Sequence, residues 1–111
     1  KKMSLVDVLY QEYANILNHQ AFRDCHDLNS LLQTFKENIS KAGYLWQHQI
    51  NDKQLEITIF HCPHHQILQK FKVLQDLELS LMTKLLDNFK YELVDAEFNS
   101  RYFLHFSITS A

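Results

Sequence analysis

With 111 residues, 46% hydrophobic and 22% charged, the chain has the length and balance of one globular domain that can bury a core without disulfides or structural metals. A net charge of −2 with no basic run argues against a surface that grips nucleic acid or an anionic membrane, and no apolar stretch approaches the roughly 20 residues of a membrane span. Two cysteines, Cys25 and Cys62, form no disulfide framework, so with no export signal the expected compartment is a reducing cytoplasm. Lys1-Lys2 ahead of Met3 fits either tag residue or an internal cut from a longer protein.

Leu5, Val6, Leu9, Tyr13, Ile16 and Leu17 recur at helical spacing and predict a helix over about Ser4 to His19. Gln20 to Asp27 is a polar connection in which Asp24 or Asp27 can cap the next element, and Cys25 beside His26 is expected there as an exposed bystander. Leu28, Leu31, Leu32, Phe35 and Ile39 mark a second helix with Gly43 as its C′ residue.

Beyond Gly43 the period changes to two. Tyr44, Trp46, His48 and Ile50 alternate with Leu45, Gln47 and Gln49, and Leu55, Ile57 and Ile59 alternate with Glu56 and Thr58. These are two strands joined by a tight turn at Asn51-Asp52. Ile67, Leu68 and Phe71 predict a short helix, and Leu74, Leu77, Leu81, Met82, Leu85 and Phe89 a longer one, with a kink near Val73. Tyr91 to Phe98 and Tyr102 to Ile108 form a closing hairpin around Asn99-Ser100. The whole predicts one α+β domain over residues 1–111, with a four-stranded, mainly antiparallel sheet covered by helices on one face. Leu79 and Leu86 lie beside the main stripe of the long helix and widen its apolar surface, which makes them candidate homodimer contacts.

Ile57-Thr-Ile-Phe-His61-Cys62-Pro63-His64-His65 carries the densest chemistry, with a thiol and three imidazoles around the only proline. Proline suits a first helical turn, so Cys62 is expected at the N-cap, where the helix dipole favours a thiolate.

The succession of helix, Gly43-Tyr44, hairpin, Cys62-Pro63, a helix containing Leu77-Glu78-Leu79 and Leu85-Leu86, and a closing hairpin resembles the C-terminal sensing domain of SufR-like winged-helix transcriptional regulators. More loosely it resembles the vinyl-reductase-like ligand-binding domains. The likeness spans about Leu28 to Ile108 and implies a DNA-binding winged helix upstream. It also implies an iron–sulfur cluster held by several cysteines, of which only Cys62 is matched here. Gln75 stands thirteen residues after it, and the final hairpin has no cysteine. A cluster needs about four thiolates, so an intact cluster site does not fit.

Three chemical readings of the junction remain. A metal such as zinc would draw on His61, Cys62, His64 and His65, with His105 joining from the last strand. A small-molecule effector would sit among Trp46, His48, His61 and Cys62. The plain alternative is a helix start with solvated histidines, just as an aromatic strand face is usually core. Cysteine-nucleophile catalysis has no acid placed to orient a base and no glycine loop for an oxyanion. The expectation is therefore a non-enzymatic ligand-sensing or dimerisation domain of transcription-regulator type, homodimeric, without direct nucleic-acid or membrane contact. A small metal-binding protein and a bare protein-interaction module are the alternatives.

Overall fold

The structure, a computed structural model, describes residues 4, 7, 8, 11, 12, 15 and 17–109. The first predicted helix begins where expected. Ser4 Oγ accepts from the Asp7 amide at 3.1 Å while the Ser4 amide donates to Asp7 Oδ2 at 3.3 Å, a reciprocal cap with aspartate in the usual glutamate position. Residues 7, 8, 11, 12, 15 and 17 are helical, whereas Leu5, Val6, Leu9, Tyr13 and Ile16 of the expected stripe lie outside the described residues.

Asn18, at φ 56°, takes a left-handed turn, and the chain re-enters a helix over His19–Arg23 (α1) in place of the expected polar loop. The cause is Phe22, a lone apolar residue that enters the core and meets Phe35 edge to face at 5.4 Å. Cys25 follows it inward and is buried, not exposed. Its thiol lies 3.1 Å from Thr34 Oγ1 and within weak hydrogen-bond reach of the Ala21 and Ser30 carbonyls. Asp27 caps the second predicted helix, Leu28–Asn38 (α2), by accepting from the Ser30 amide at 2.7 Å.

The remaining elements follow the expected order: Leu45–Asn51 (β1), Gln54–His61 (β2), His65–Lys70 (α3), Lys72–Lys84 (α4), Lys90–Glu97 (β3) and Phe103–Thr109 (β4). Asn51 pairs with Gln54, so the first hairpin turns at Asp52-Lys53, with Asp52 at φ 54°. The break between α3 and α4 falls at Phe71, whose extended backbone separates them, two residues before the expected kink.

The four strands form one antiparallel sheet in the order β1-β2-β4-β3. Leu55, Ile57 and Ile59 of β2 pair with Ile108, Phe106 and Leu104 of β4, and these six residues are the buried floor on which the helices pack. Glu56, Thr58, His105 and Ser107 alternate with them on the open face. The α+β class and the one-sided helical cover are as the sequence predicts.

Most of the apolar surface of α4 is used within the monomer, with Val73 at its start left 54% exposed. Leu86 is completely buried in the turns after α4, and Leu79 is partly buried against the core, so the wide stripe serves to close the domain. Leu86 has no face to offer a partner.

Candidate metal centre at the strand-to-helix junction

Strand β2 delivers His61 to the end of the sheet, and Cys62 to His64 make a turn closed by the His65 amide donating to the Cys62 carbonyl at 3.2 Å. The N-cap of α3 is His64, not Cys62. The thiol is therefore not held at a helix N-terminus, and at 1% exposure it has gone inward.

Glu78 meets it there. Leu74, Leu77, Leu81, Met82 and Leu85 recur at helical spacing on one side of the α4 segment, and Glu78 sits in the middle of that stripe at 1% exposure. A buried carboxylate is costly unless donors surround it, and here three do. The hydroxyls of Tyr44, just before β1, and Tyr102, just before β4, both donate to Oε2, at 2.7 and 2.8 Å. His64 Nε2 donates to Oε1 at 2.9 Å. The side chain of His64 is 17% exposed, against 1% for that of Glu78.

Charge and burial set the protonation around this carboxylate. Burial, reinforced by the negative Glu78, pushes the Cys62 thiol up to about 12 and raises the phenol pKa values of Tyr44 and Tyr102. Without a cation the thiol is therefore neutral at physiological pH, the reverse of the thiolate expected from a helix N-cap.

One ligand atom each from Cys62, His64 and Glu78 lies within 4.8 Å of the others. In tetrahedral zinc, with bonds of about 2.0–2.3 Å, adjacent ligand atoms are roughly 3.3–3.7 Å apart, so a small adjustment of side chains would close the three on one ion. The mixture of sulfur, nitrogen and oxygen donors suits zinc better than magnesium or calcium. Oε2, already held by two tyrosines, would fix the carboxylate while Oε1 turned to the metal, the orienting role of outer-shell hydrogen bonds in metal sites.

The other expected ligands do not converge here. His61 is exposed, His65 Nε2 is committed to the Phe98 carbonyl at 2.7 Å, and His105 lies on the open face of the sheet, 2.8 Å from Glu56 Oε1. Of the expected metal set, Cys62 and His64 belong to the cluster. The expected effector pocket is also dispersed. Trp46 packs on Phe35 and donates to Ser40 Oγ at 2.9 Å, while His48 is exposed beside it. Gln75 donates to the Leu68 carbonyl at 2.8 Å and to Asn99 Oδ1 at 3.0 Å, ordinary structural bonds between α3, α4 and the last loop. Cys25 is tied to Ala21, Ser30 and Thr34, so an iron–sulfur cluster finds one thiol at the junction and does not fit.

Sequence reasoning passed over Glu78 and the two tyrosines. The available signal was an acidic residue inside an apolar helical stripe, which must find buried donors. Comparison with protein-family models, curated proteins and solved structures gives no match, so the likeness to SufR-like regulators rests on the short motifs alone.

Proposed function

We propose that this chain is a non-enzymatic sensory domain of the kind carried by transcriptional regulators, with a divalent transition metal, zinc first, as effector at Cys62, His64 and Glu78. The observation that carries this reading is the convergence of those three donors beneath a single partly exposed histidine. A sensor needs two self-consistent states. In the metal-free state Glu78 has three hydrogen-bond donors and Cys62 is a neutral thiol, so the fold does not depend on the ion. In the metal-bound state the His64–Glu78 contact is exchanged for two metal bonds and the thiol gives up its proton.

The same geometry disfavours the cysteine-nucleophile reading, because a fully buried thiol with a raised pKa has neither access nor thiolate. Zinc titration against a chromophoric chelator, with elemental analysis of the dialysed complex, tests the proposal. One equivalent should bind wild type, and Cys62→Ser and Glu78→Gln should each weaken binding by tenfold or more. Failure of wild type to compete for zinc, or equal binding by both variants, would refute it.

A further inference from the structure

We propose that β1 is the self-association edge of the domain, pairing antiparallel with β1 of a second copy across a two-fold axis at His48 to continue the sheet. The inference is independent of the metal reading and rests on the contrast between the two sheet edges. At one edge, β3 carries Lys90, Glu92, Asp95 and Glu97 and has a bulge between Leu93 and Asp95, the usual protections against edge-to-edge pairing. At the other, β1 reads Leu-Trp-Gln-His-Gln-Ile-Asn, without a lysine, arginine, aspartate, glutamate or proline. Its only register shift lies at its first step, between Leu45 and Trp46.

The register within the hairpin decides which backbone groups are available. A two-residue turn closes on a hydrogen-bonded pair, here Asn51 with Gln54, so Asn51, Gln49 and Gln47 direct their N–H and C=O groups to β2. Ile50, His48 and Trp46 direct theirs to the open edge. A two-fold axis at His48 pairs these outward groups in register: His48 with its own copy, and Trp46 with Ile50 of the partner subunit.

The side chains match in that same register. Trp46, His48 and Ile50 share the helix-covered side of the sheet, since they oppose Ile59, Ile57 and Leu55, and Gln47 and Gln49 share the open side. Pairing therefore sets the indole against an isoleucine twice, a glutamine against a glutamine twice and His48 against its own copy, with no lysine, arginine, aspartate or glutamate in the register. Ile50 is 57% exposed in the monomer and lines a groove of about 570 Å³ with Leu28, Leu32 and Leu55. The partner's Trp46 would stand at the mouth of that groove, which commits the surface to a second copy of this chain.

Sedimentation and native mass spectrometry at micromolar concentration test the proposal on wild type, His48→Pro and Ile50→Lys. His48→Pro removes an outward N–H that β2 does not use, a position where edge strands tolerate proline, and Ile50→Lys supplies the missing edge charge. Wild type should show twice the monomer mass, and each variant that keeps the wild-type circular dichroism should show the monomer mass. A nitroxide on His48→Cys should be strongly broadened by its copy, because directly opposed Cβ atoms lie about 5 Å apart, whereas one on Tyr91→Cys, at the far edge, should not. A monomeric wild type, folded variants that remain dimeric, or an unbroadened label at position 48 in a dimer would overturn it.

Discussion

Gly43 and Pro63 lie in contact, so that a Cβ added to Gly43 would stand 3.2 Å from Pro63 Cγ and 3.4 Å from Pro63 Cβ. They are the only glycine and the only proline in the chain. Gly43 also has φ +94°, a conformation that side-chain-bearing residues rarely adopt. The contact joins the turn that positions Tyr44 to the turn that positions Cys62 and His64. Gly43→Ala should therefore cost about 1–3 kcal/mol from backbone strain and crowding together. Urea denaturation measures this, and a loss indistinguishable from zero would mean that the two turns part freely.

The paired tyrosines give a second expectation. Removing either hydroxyl leaves Glu78 Oε2 with one donor, and removing both leaves it with none in a fully buried position. Tyr44→Phe and Tyr102→Phe should each destabilise by about 1–3 kcal/mol, the usual penalty for a buried acceptor losing a partner. The double variant should lose more than the sum, because the last donor to a buried carboxylate oxygen is worth more than the first. A double-mutant cycle by denaturant titration reads this directly, and strict additivity would show that the two hydroxyls do not share their acceptor.

Much of this architecture is legible in the sequence because burial there is periodic. The stripe Leu28, Leu31, Leu32, Phe35 and the alternation Leu55, Ile57, Ile59 each reveal an element and its inward face. The burial of Phe22 and Cys25 is not legible, because neither belongs to a periodic stripe and both are drawn in by tertiary contact with Phe35 and Thr34. The candidate site was half legible. Cys62 and His64 stand out together in the sequence, but Glu78, Tyr44 and Tyr102 come from three other segments that only the packing of α4 against the strand ends brings to them. The N-cap inference failed at Pro63 because the helix starts two residues later, which turned an activated thiol into a buried one.

Stability should fall on the alkaline side. Burial, with the negative Glu78 beside it, pushes the Cys62 thiol from its ordinary value of about 9.0, the value of the unfolded chain, up to about 12 in the fold. Between those values the native state holds a proton that the unfolded state has lost, so this contribution is fully present below pH 9 and declines as pH rises toward 12. The slope approaches about 1.4 kcal/mol per pH unit for one proton, and Tyr44 and Tyr102, whose phenol pKa values are also raised, steepen it above pH 10. Urea midpoints taken between pH 8 and 10 should decline in wild type and stay flatter in Cys62→Ser, which has no proton to lose in that interval. Parallel curves would mean that Cys62 titrates alike in both states.

The same thiol couples zinc binding to pH in the opposite direction. Since Cys62 holds its proton up to about 12 in the metal-free protein, coordination at neutral pH must expel that proton. Apparent zinc affinity should rise at least tenfold per pH unit through the neutral range in wild type, after correction for the competing chelator. Calorimetry in buffers of different ionisation enthalpy should count at least one proton released per ion. Cys62→Ser should bind more weakly and lack this proton. Because the metal-free cluster is already hydrogen-bonded, a chelator should strip the ion from wild type without unfolding it, leaving the circular dichroism unchanged and the melting temperature lowered only by the loss of ligand binding. Unfolding on chelation would assign the ion a structural role, and pH-independent affinity would remove Cys62 from the ligand set.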